Sequence, residues 1–393
     1  MFKGRKILVG VASSVAMYKT LDLIRRLQKE GAEVHVMMTR HAAKLISPQM
    51  FHAISQNRVW IKMFDEESSD PMPHVQILQE VDLVMVVPAT ASLIGHYAMG
   101  LAHDLVTTAL LGAKAPVLLA PAMNSAMYEH SIVQENLDKL RSIGVTVVDP
   151  VEGKLACGSD GMGCLAPLKT ILLYAERLLT QQDLKGKKVL ISGGRTIEPL
   201  DPVRLLTNRS SGKMGLALAR AAFSRGAEVV VVSGKVDVQY PAPIEVFSVK
   251  TAEEMREAVL TRFTDCDVFI SAAAVCDYKP LNVSNSKLKK KGVKMALELI
   301  ENPDILKEVS ALKRKDQKVV GFALETNDLE NNAKKKLKEK NLDLLIGNSP
   351  VVLDADEGEF SLFYERNHKS LKGNKVTLGH YLFDWLLDLR SSK

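Results

Sequence analysis

RKILVGVASSVAMYKTLDLIRRLQKEGAEVHVMM, residues 5–38, settles the fold class. Residues 5–11 are a β-rich run that ends in a turn. Met17, Leu21, Ile24 and Leu27 then fall on one face of a helix over residues 16–29. Gly31 stops that helix, and Glu33–Met38 reads as the next strand, completing a β-α-β unit. Outward from it, Leu83–Val87, Val117–Ala120 and Val145–Asp149 read as further strands, with a helix near Val133–Ile143. Such near-continuous apolar runs are what parallel strands covered on both faces require.

The pattern restarts at Lys187. Lys188–Ser192, Ala227–Val232, Val268–Ser271, Val319–Ala323 and Leu342–Ile346 read as strands, and Met214–Ser224 and Ala252–Arg262 as helices. Gly-Ala-Glu-Val stands at 31–34 and again at 226–229, each time between a helix and a strand. Residues 181–187 are polar, as a linker should be. The expectation is an α/β chain of two Rossmann-like domains, 1–180 and 187–393. Glu357–Lys375 reads as a surface loop or hairpin before a C-terminal helix at Leu378–Leu389.

The chain has 393 residues and a formal charge of +6, with 46% apolar and 25% charged residues, which suits a folded protein of two to three domains. Residues 1–180 hold 17 Lys and Arg against 17 Asp and Glu, so the whole excess lies beyond them. That excess is weak for a nucleic-acid binder and suits a domain that holds a few phosphates. No segment is long and apolar enough to span a membrane. Ser13-Ser14 interrupts the only stretch that could pass for a signal peptide. Cys157, Cys164, Cys266 and Cys276 lack metal-ligand spacing. The expectation is a cytoplasmic chain with reduced thiols, no nucleic acid and no membrane.

Ligands of open α/β sheets lie beyond the carboxyl ends of the strands. After the first strand come Gly10 and Ser13-Ser14, small residues before a helix that leave backbone N–H groups for a phosphate. Pro88-Ala89-Thr90-Ala91 follows another strand, and Pro121-Ala-Met123-Asn124 a further one, its Asn either a substrate contact or a local turn. His74 precedes a strand. Three glycines within six residues after Cys157 predict a mobile loop. Together these resemble the flavin-dependent phosphopantothenoylcysteine decarboxylases, a flavodoxin-like fold. The resemblance implies FMN held by Gly10, Ser13, Ser14, Thr39, Pro88, Ala89, Thr90 and Ala91. It implies His74 as base, Asn124 gripping the substrate carboxylate beside Met123, and Cys157 as proton donor. The chemistry fits, because a β-amino thiol carboxylate has no electron sink until its thiol is oxidised. Departures from the family pattern are Cys164 for an Arg, Pro167 for a Glu, Tyr128 for a Trp, and Ser92 and His96 for Asn and Lys.

In the second half, Ser211-Gly-Lys-Met-Gly215 fails as a P-loop. The first glycine position is Thr207, and Met214 follows the lysine. Gly193-Gly-Arg-Thr-Ile-Glu198 followed by Asn208-Arg-Ser210-Ser211-Gly212-Lys-Met-Gly215 is instead similar to phosphopantothenate–cysteine ligases. Ala272–Asp277, Lys287-Leu-Lys289-Lys290, Asn302-Pro-Asp304 and Gly321-Phe322 match the same family. The resemblance implies ligation of cysteine to 4′-phosphopantothenate, with CTP activating the carboxylate as an acyl-cytidylate and Mg²⁺ neutralising phosphate charge. Asn208 and Lys289 would handle the acyl-cytidylate. Asp277 would bind nucleotide and metal. Ser210, Ser211, Gly212, Ala274, Lys287, Lys290, Asn302, Asp304 and Phe322 would line the substrate and nucleotide sites. Arg195 is one residue more than the usual spacing and is expected to bulge. Lys334–Lys340 reads as an exposed helix face, with one lysine able to reach a phosphate.

The resemblance therefore implies a bifunctional enzyme of coenzyme A synthesis, as a homo-oligomer of trimeric decarboxylase and dimeric ligase domains, a dodecamer. The rivals are a ligase with a degenerate flavin half, and a flavin-binding regulatory subunit. A dinucleotide-dependent dehydrogenase is weaker, because no G-x-G-x-x-G follows either first strand.

Overall fold

In the computed structural model, the described residues are 1–63, 73–156, 158, 160–289, 295–324, 329–348, 355, 357–364 and 367–391. They form two compact units, Met1–Gln181 and Gln182–Lys393.

The first unit holds strands β1 (Lys6–Val11), β2 (Glu33–Met38), β3 (Val59–Trp60), β4 (Leu83–Ala89), β5 (Val117–Pro121) and β6 (Thr146–Val147). They form one parallel sheet in the order β3-β2-β1-β4-β5-β6, so the strand order reverses between β1 and β4. That is the Rossmann arrangement, and it opens a crevice at the carboxyl ends of those two strands. Side chains alternate across the sheet. Ile7, Val9, Leu83, Met85 and Val87 pack on one face with Leu23, Ile24, Leu27 and Ile171. Leu8, Val84 and Val86 pack on the other with Ile94, Val106, Leu110 and Leu137. All seven residues of β4 are buried, which is why it reads as an unbroken apolar run.

Two further strands, β7 (Val151–Lys154) and β8 (Asp160–Cys164), form an antiparallel hairpin. The expected strand Val145–Asp149 is mostly the approach to that hairpin, with only Thr146–Val147 paired in the sheet. Helices Pro73–Glu80, Ala91–Ala98, Leu105–Gly112 and Leu168–Leu179 complete the layers and carry no clear amphipathic signal except the last.

The second unit repeats the plan. Its strands are β9 (Lys188–Gly193), β10 (Ile197–Pro199), β11 (Leu205–Thr207), β12 (Glu228–Ser233), β13 (Glu245–Ser248), β14 (Val268–Ser271), β15 (Tyr278–Pro280), β16 (Leu299–Glu301), β17 (Lys318–Leu324), β18 (Leu344–Asn348), β19 (Glu357–Tyr364) and β20 (Asn367–Asn374). The main sheet runs β13-β12-β9-β14-β17-β18-β19-β20, parallel as far as β18 and antiparallel beyond. Its parallel part has the same order as the first sheet, reversing between β9 and β14. The polar stretch read as loop or hairpin is the β19–β20 hairpin, an added edge. Helix Lys213–Ser224 packs on the helix Lys375–Ser391. Gly379 makes this possible, since a Cβ there would lie 2.8 Å from the Ala221 Cβ and 3.4 Å from the Ala217 carbonyl oxygen.

Candidate active sites

In the first unit, backbone hydrogen bonds stitch the strand ends into one ledge. Thr39 N–H donates to the Val11 carbonyl at 3.0 Å, Ala12 N–H to Pro88 at 3.2 Å and Ala122 N–H to Ala89 at 3.0 Å. Three hydroxyls there accept backbone N–H groups at helix starts, those of Ser14 and Thr90 as N-caps. Ser14 Oγ accepts from Ala16 N–H at 3.4 Å, Thr39 Oγ1 from Ala42 N–H at 3.1 Å and Thr90 Oγ1 from Leu93 N–H at 3.4 Å. Gly10 contributes differently. It lies inside β1, and a Cβ on it would meet Val106 Cγ1 at 2.9 Å, so its missing side chain makes room for the packing of helix Leu105–Gly112.

The glycine-rich segment expected to be mobile is the docked hairpin β7–β8. Met123 N–H donates to the Gly163 carbonyl at 3.1 Å. Gly163 has φ +147°, and a Cβ there would lie 2.2 Å from the Met123 carbonyl oxygen. A Cβ on Gly161 would lie 2.4 Å from Ser125 Oγ. These two glycines serve close approach to the Met123–Ser125 loop. Between hairpin and ledge is a cleft of about 680 Å³ lined by Ser14, Tyr18, Lys19, Met123, Asn124, Lys154 and Cys164. Asn124 caps the next helix, its Oδ1 accepting from Ala126 N–H at 2.9 Å.

Cys157 lies outside the described residues. His74 is in the first turn of helix Pro73–Glu80, and its side chain is likewise outside them. The Lys6–Glu80 ion pair, 2.7 Å, ties the far end of that helix to the start of β1. Tyr128, which stands where the family has Trp, donates to Asp149 at 3.0 Å, and burial raises its pKa above the usual phenol range. Ser92 and His96 bond one another within their helix, where the Ser92 carbonyl accepts from His96 Nδ1 at 2.7 Å.

In the second unit the residues after β14 are gripped from three sides. Asn208 Nδ2 donates to the Val275 carbonyl at 2.9 Å, Cys276 N–H to Thr196 Oγ1 at 2.9 Å and Asn302 Nδ2 to the Cys276 carbonyl at 2.9 Å. Two cavities flank that segment. One, of about 480 Å³, is lined by Asn208, Ser210, Ser211, Gly212, Ala274, Asp277 and Phe322, with Asn348 and Lys375. The other, of about 490 Å³, is lined by Asp277, Asn302, Asp304 and Phe322, with Lys336 and Lys340. They meet at Ala273, Val275, Asp277 and Phe322. Ser211 Oγ and Asn302 Oδ1 are shielded from solvent without a hydrogen bond among the described residues, one lining each cavity.

Arg195 follows β9 and bridges the chain at Lys235 and Ala274. Its backbone exchanges hydrogen bonds with Lys235 at 3.0 and 2.8 Å, and its guanidinium reaches both Asp237 oxygens at 3.2 Å and the Ser210 carbonyl. The extra residue therefore holds the Asn208–Gly212 loop from behind. Lys340 pairs with Asp304 at 2.7 Å, so the lysine-rich helix face is only partly solvated.

The structure does not bring Lys287 and Lys289 to either cavity; both are exposed, and Lys290 lies outside the described residues. Leu288 between them is anchored, its N–H donating to Asp201 Oδ2 at 3.1 Å. Asp201 also accepts from Val203 N–H and Arg204 N–H, both 2.8 Å, and from the Arg204 guanidinium at 3.3 Å. Its side chain is wholly buried; desolvation opposes the charge, yet these bonds hold its carboxyl below the usual carboxylate range.

Two family models cover the chain. A flavoprotein model matches residues 1–179, and a model of the DNA/pantothenate metabolism flavoprotein C-terminal domain matches residues 184–389. The coenzyme A biosynthesis bifunctional protein CoaBC of Bacillus subtilis strain 168 is 42% identical over 377 residues, 94% of this chain and 93% of that protein. Its counterpart in Escherichia coli K12 is 40% identical over 390 residues, 97% and 96% of the two chains. The chain belongs to the family of coenzyme A biosynthesis bifunctional proteins. It is an enzyme of coenzyme A biosynthesis that joins a flavoprotein decarboxylase half to a ligase half. A solved C-terminal domain of a family member is 32% identical, covering 54% of this chain and all of that one, with a TM-score of 0.47.

Asp201, which the motif reading passed over, and Lys336 and Lys340, which it placed only on the Lys334–Lys340 helix face, belong to the ligase half of this family member. Asp201 has a signal in retrospect, since Asp-Pro-x-Arg is an Asx-turn sequence. Lys336 and Lys340 line a cavity at the spacing that puts them on one helix face. Among the described residues no helix is long and apolar enough to cross a membrane.

Proposed function

We propose that the ligase half joins cysteine to 4′-phosphopantothenate with CTP as co-substrate, and that the decarboxylase half then removes carbon dioxide from the product to give 4′-phosphopantetheine. The observation that supports this most is the pair of cavities meeting at Asp277 and Phe322. The reaction needs two ligands whose reacting ends touch, a carboxylate and an α-phosphate. In the first cavity, Ser210, Ser211 and Gly212 at the start of helix Lys213–Ser224 offer backbone N–H groups to an anion. In the second, Asn302, Asp304, Lys336 and Lys340 would hold the nucleotide, with Phe322 at the junction and Ala274 on the first cavity's side. Asn208 would position the activated carboxylate. Lys289 would act with Asn208 on the acyl-cytidylate, and Lys287 and Lys290 would contact phosphates from the loop that Asp201 anchors.

Asp277 would bind Mg²⁺. Among the described residues no three His, Cys, Asp or Glu side chains gather around a metal. A single carboxylate completed by phosphate oxygens and water is how Mg²⁺ is commonly held beside nucleotides, so the residues fit it. The ion would neutralise charge as the carboxylate approaches the α-phosphate.

The decarboxylase half fits FMN, with small residues and capped helix starts on one ledge at the strand-order reversal. Gly10, Ser13, Ser14, Thr39, Pro88, Ala89, Thr90 and Ala91 would form that site. When bound, the flavin supplies reversible two-electron oxidation of the substrate thiol, which gives the departing carboxylate an electron sink. Asn124, at the mouth of the cleft with Met123, would orient the carboxylate. His74 would take the substrate proton, and Cys157, which the sequence puts between the two hairpin strands, would return one to the enethiol.

A homo-oligomer is proposed for the whole, and the β15–β16 arm supports it. Tyr278, Leu281, Val283, Leu297, Leu299 and Ile300 are all exposed there, more apolar surface than a free hairpin usually shows. The test is incubation with 4′-phosphopantothenate, cysteine and each nucleoside triphosphate, following pyrophosphate. CTP is expected to support release, and equal release with ATP or none with CTP would remove the nucleotide assignment.

A further inference from the structure

Arg195 is not among the residues that line the two ligase cavities, yet it is joined to two walls of the first. Its backbone bridges Ala274 on one side and Lys235 on the other. Beside it, Ala274 N–H donates to the Gly194 carbonyl at 2.8 Å, and Thr196 N–H to the Ala274 carbonyl at 3.3 Å. The Arg195 guanidinium spans both Asp237 oxygens and the Ser210 carbonyl. Asp237 N–H in turn donates to the Ser211 carbonyl at 3.1 Å. Ala274, Ser210 and Ser211 all line the cavity of about 480 Å³, and Arg195 and Asp237 do not.

These bonds fix the direction in which the loop's peptides face. A trans peptide points its carbonyl and its N–H opposite ways. Arg195 and Asp237 hold the carbonyls of Ser210 and Ser211, so the N–H groups of Ser211 and Gly212 are turned away from those two residues, to the side where the cavity is. Gly212 N–H also lies 3.4 Å from Ser210 Oγ, a long contact. The backing is tight. Val236 is wedged between two glycines, since its Cγ1 would lie 2.8 Å from a Cβ on Gly194 and 2.4 Å from one on Gly212. Neither the backbone pairing nor this packing asks for a particular side chain at 195. A shorter residue would keep both, and ordering an arginine costs conformational entropy. What arginine adds is a planar fork that can hold a carboxylate and a carbonyl at once.

We propose that Arg195, oriented by Asp237, is a positioning residue of the ligase: it holds the Ser210–Gly212 backbone in the orientation that receives a substrate phosphate. The inference rests on the ligase reading above, and the phosphate has two sources, 4′-phosphopantothenate and CTP. The full-length protein is compared with Arg195→Met, which keeps the apolar stem and loses the donors, and Arg195→Lys, which keeps a charged donor. R195M should raise KM for one of the two substrates by about tenfold, the lower end of what a hydrogen bond to a charged group is worth. Ligase kcat and KM for cysteine should stay within twofold, and R195K should recover most of the loss. The arm that moves identifies the source. A merely structural role would lower kcat and disturb cysteine as well. Such a uniform loss, or KM within twofold of wild type for both phosphate substrates in R195M, overturns the proposal while the ligase reading stands. Should R195M lose its folded ligase half, Asp237→Ala decides. The Asp237 side chain is 60% exposed, and its removal leaves the backbone bond to Ser211 in place. Losing a partly exposed ion pair should raise KM for one phosphate substrate roughly threefold with cysteine unmoved, and unchanged values overturn the proposal. Absence of pyrophosphate release by wild type overturns the ligase reading itself.

Discussion

Gly163→Ala should disable one half of the enzyme and leave the other intact. The new Cβ would lie 2.2 Å from the Met123 carbonyl oxygen, which is backbone and cannot rotate away. The residue would also have to keep φ +147°, a conformation that costs a non-glycine residue about 1–3 kcal/mol. Relieving the clash means lifting β8 and breaking the 3.1 Å bond from Met123 N–H to Gly163, worth about 1 kcal/mol net. Together the docked hairpin loses about 2–4 kcal/mol, which is roughly a 30- to 1,000-fold shift toward the undocked state. Cys157 stands between the hairpin strands in sequence, so carbon dioxide release from phosphopantothenoylcysteine should fall, by up to about 30-fold at the lower end of that range. Pyrophosphate release by the same polypeptide should be unchanged. Gly158→Ala is the control. Gly158 has φ +90°, but a Cβ there would meet nothing within 4 Å, so only the conformational cost of about 1–2 kcal/mol applies. Decarboxylation by G163A within threefold of wild type would refute the docking argument.

Three further outcomes follow from the geometry. Asp201→Asn keeps the shape but weakens the bonds to Leu288, Val203 and Arg204; ligase kcat/KM should fall by about tenfold, the worth of one charge-assisted bond, with decarboxylation unaffected. Because the folded Asp201 carboxyl is held below its ordinary value, its contribution to stability is complete above that value and is lost as pH falls through the folded one. Acid melting of the ligase half should therefore be less steep in D201N, read by circular dichroism from pH 6 downward. Arg225, with a side chain 6% exposed, joins Asp183, Asp384 and the His380 carbonyl; Arg225→Ala should destabilise the second unit by about 3 kcal/mol in urea unfolding, with the first unit's transition unmoved. Burial pushes the Cys266 thiol up to about 12 and raises that of Cys276, so iodoacetamide at pH 8 should leave both unmodified in the folded protein and label both after unfolding, as peptide mass mapping would show.

The sheets were legible because parallel strands buried on both faces leave unbroken apolar runs, as in β4 and β5. Helix Leu105–Gly112 was not, because five of its eight residues are buried and it shows no polar face; only its Asp104–Thr107 capping pair marks it. Strand β20 was legible only as loop or hairpin for the opposite reason, since Asn367–Asn374 is exposed nearly throughout and offers no alternation. Glycines were ambiguous by nature. The cluster at 158–163 reads as mobility, yet Gly161 and Gly163 provide contact, and only the neighbouring backbone distinguishes the two uses. In the ligase half, Asn208, Ser210, Ser211, Gly212, Ala274, Asp277 and Phe322 come from three separate motifs and line one cavity. Lys375 stood outside every motif because its place depends on a helix–helix contact formed far along the chain.

If one polypeptide performs both reactions in sequence, the order and ratio of the two released products will show it. Purified protein supplied with 4′-phosphopantothenate, cysteine, CTP and Mg²⁺ should release pyrophosphate first and then carbon dioxide, converging on one of each per 4′-phosphopantetheine formed. Pyrophosphate without carbon dioxide, with phosphopantothenoylcysteine accumulating, would contradict it.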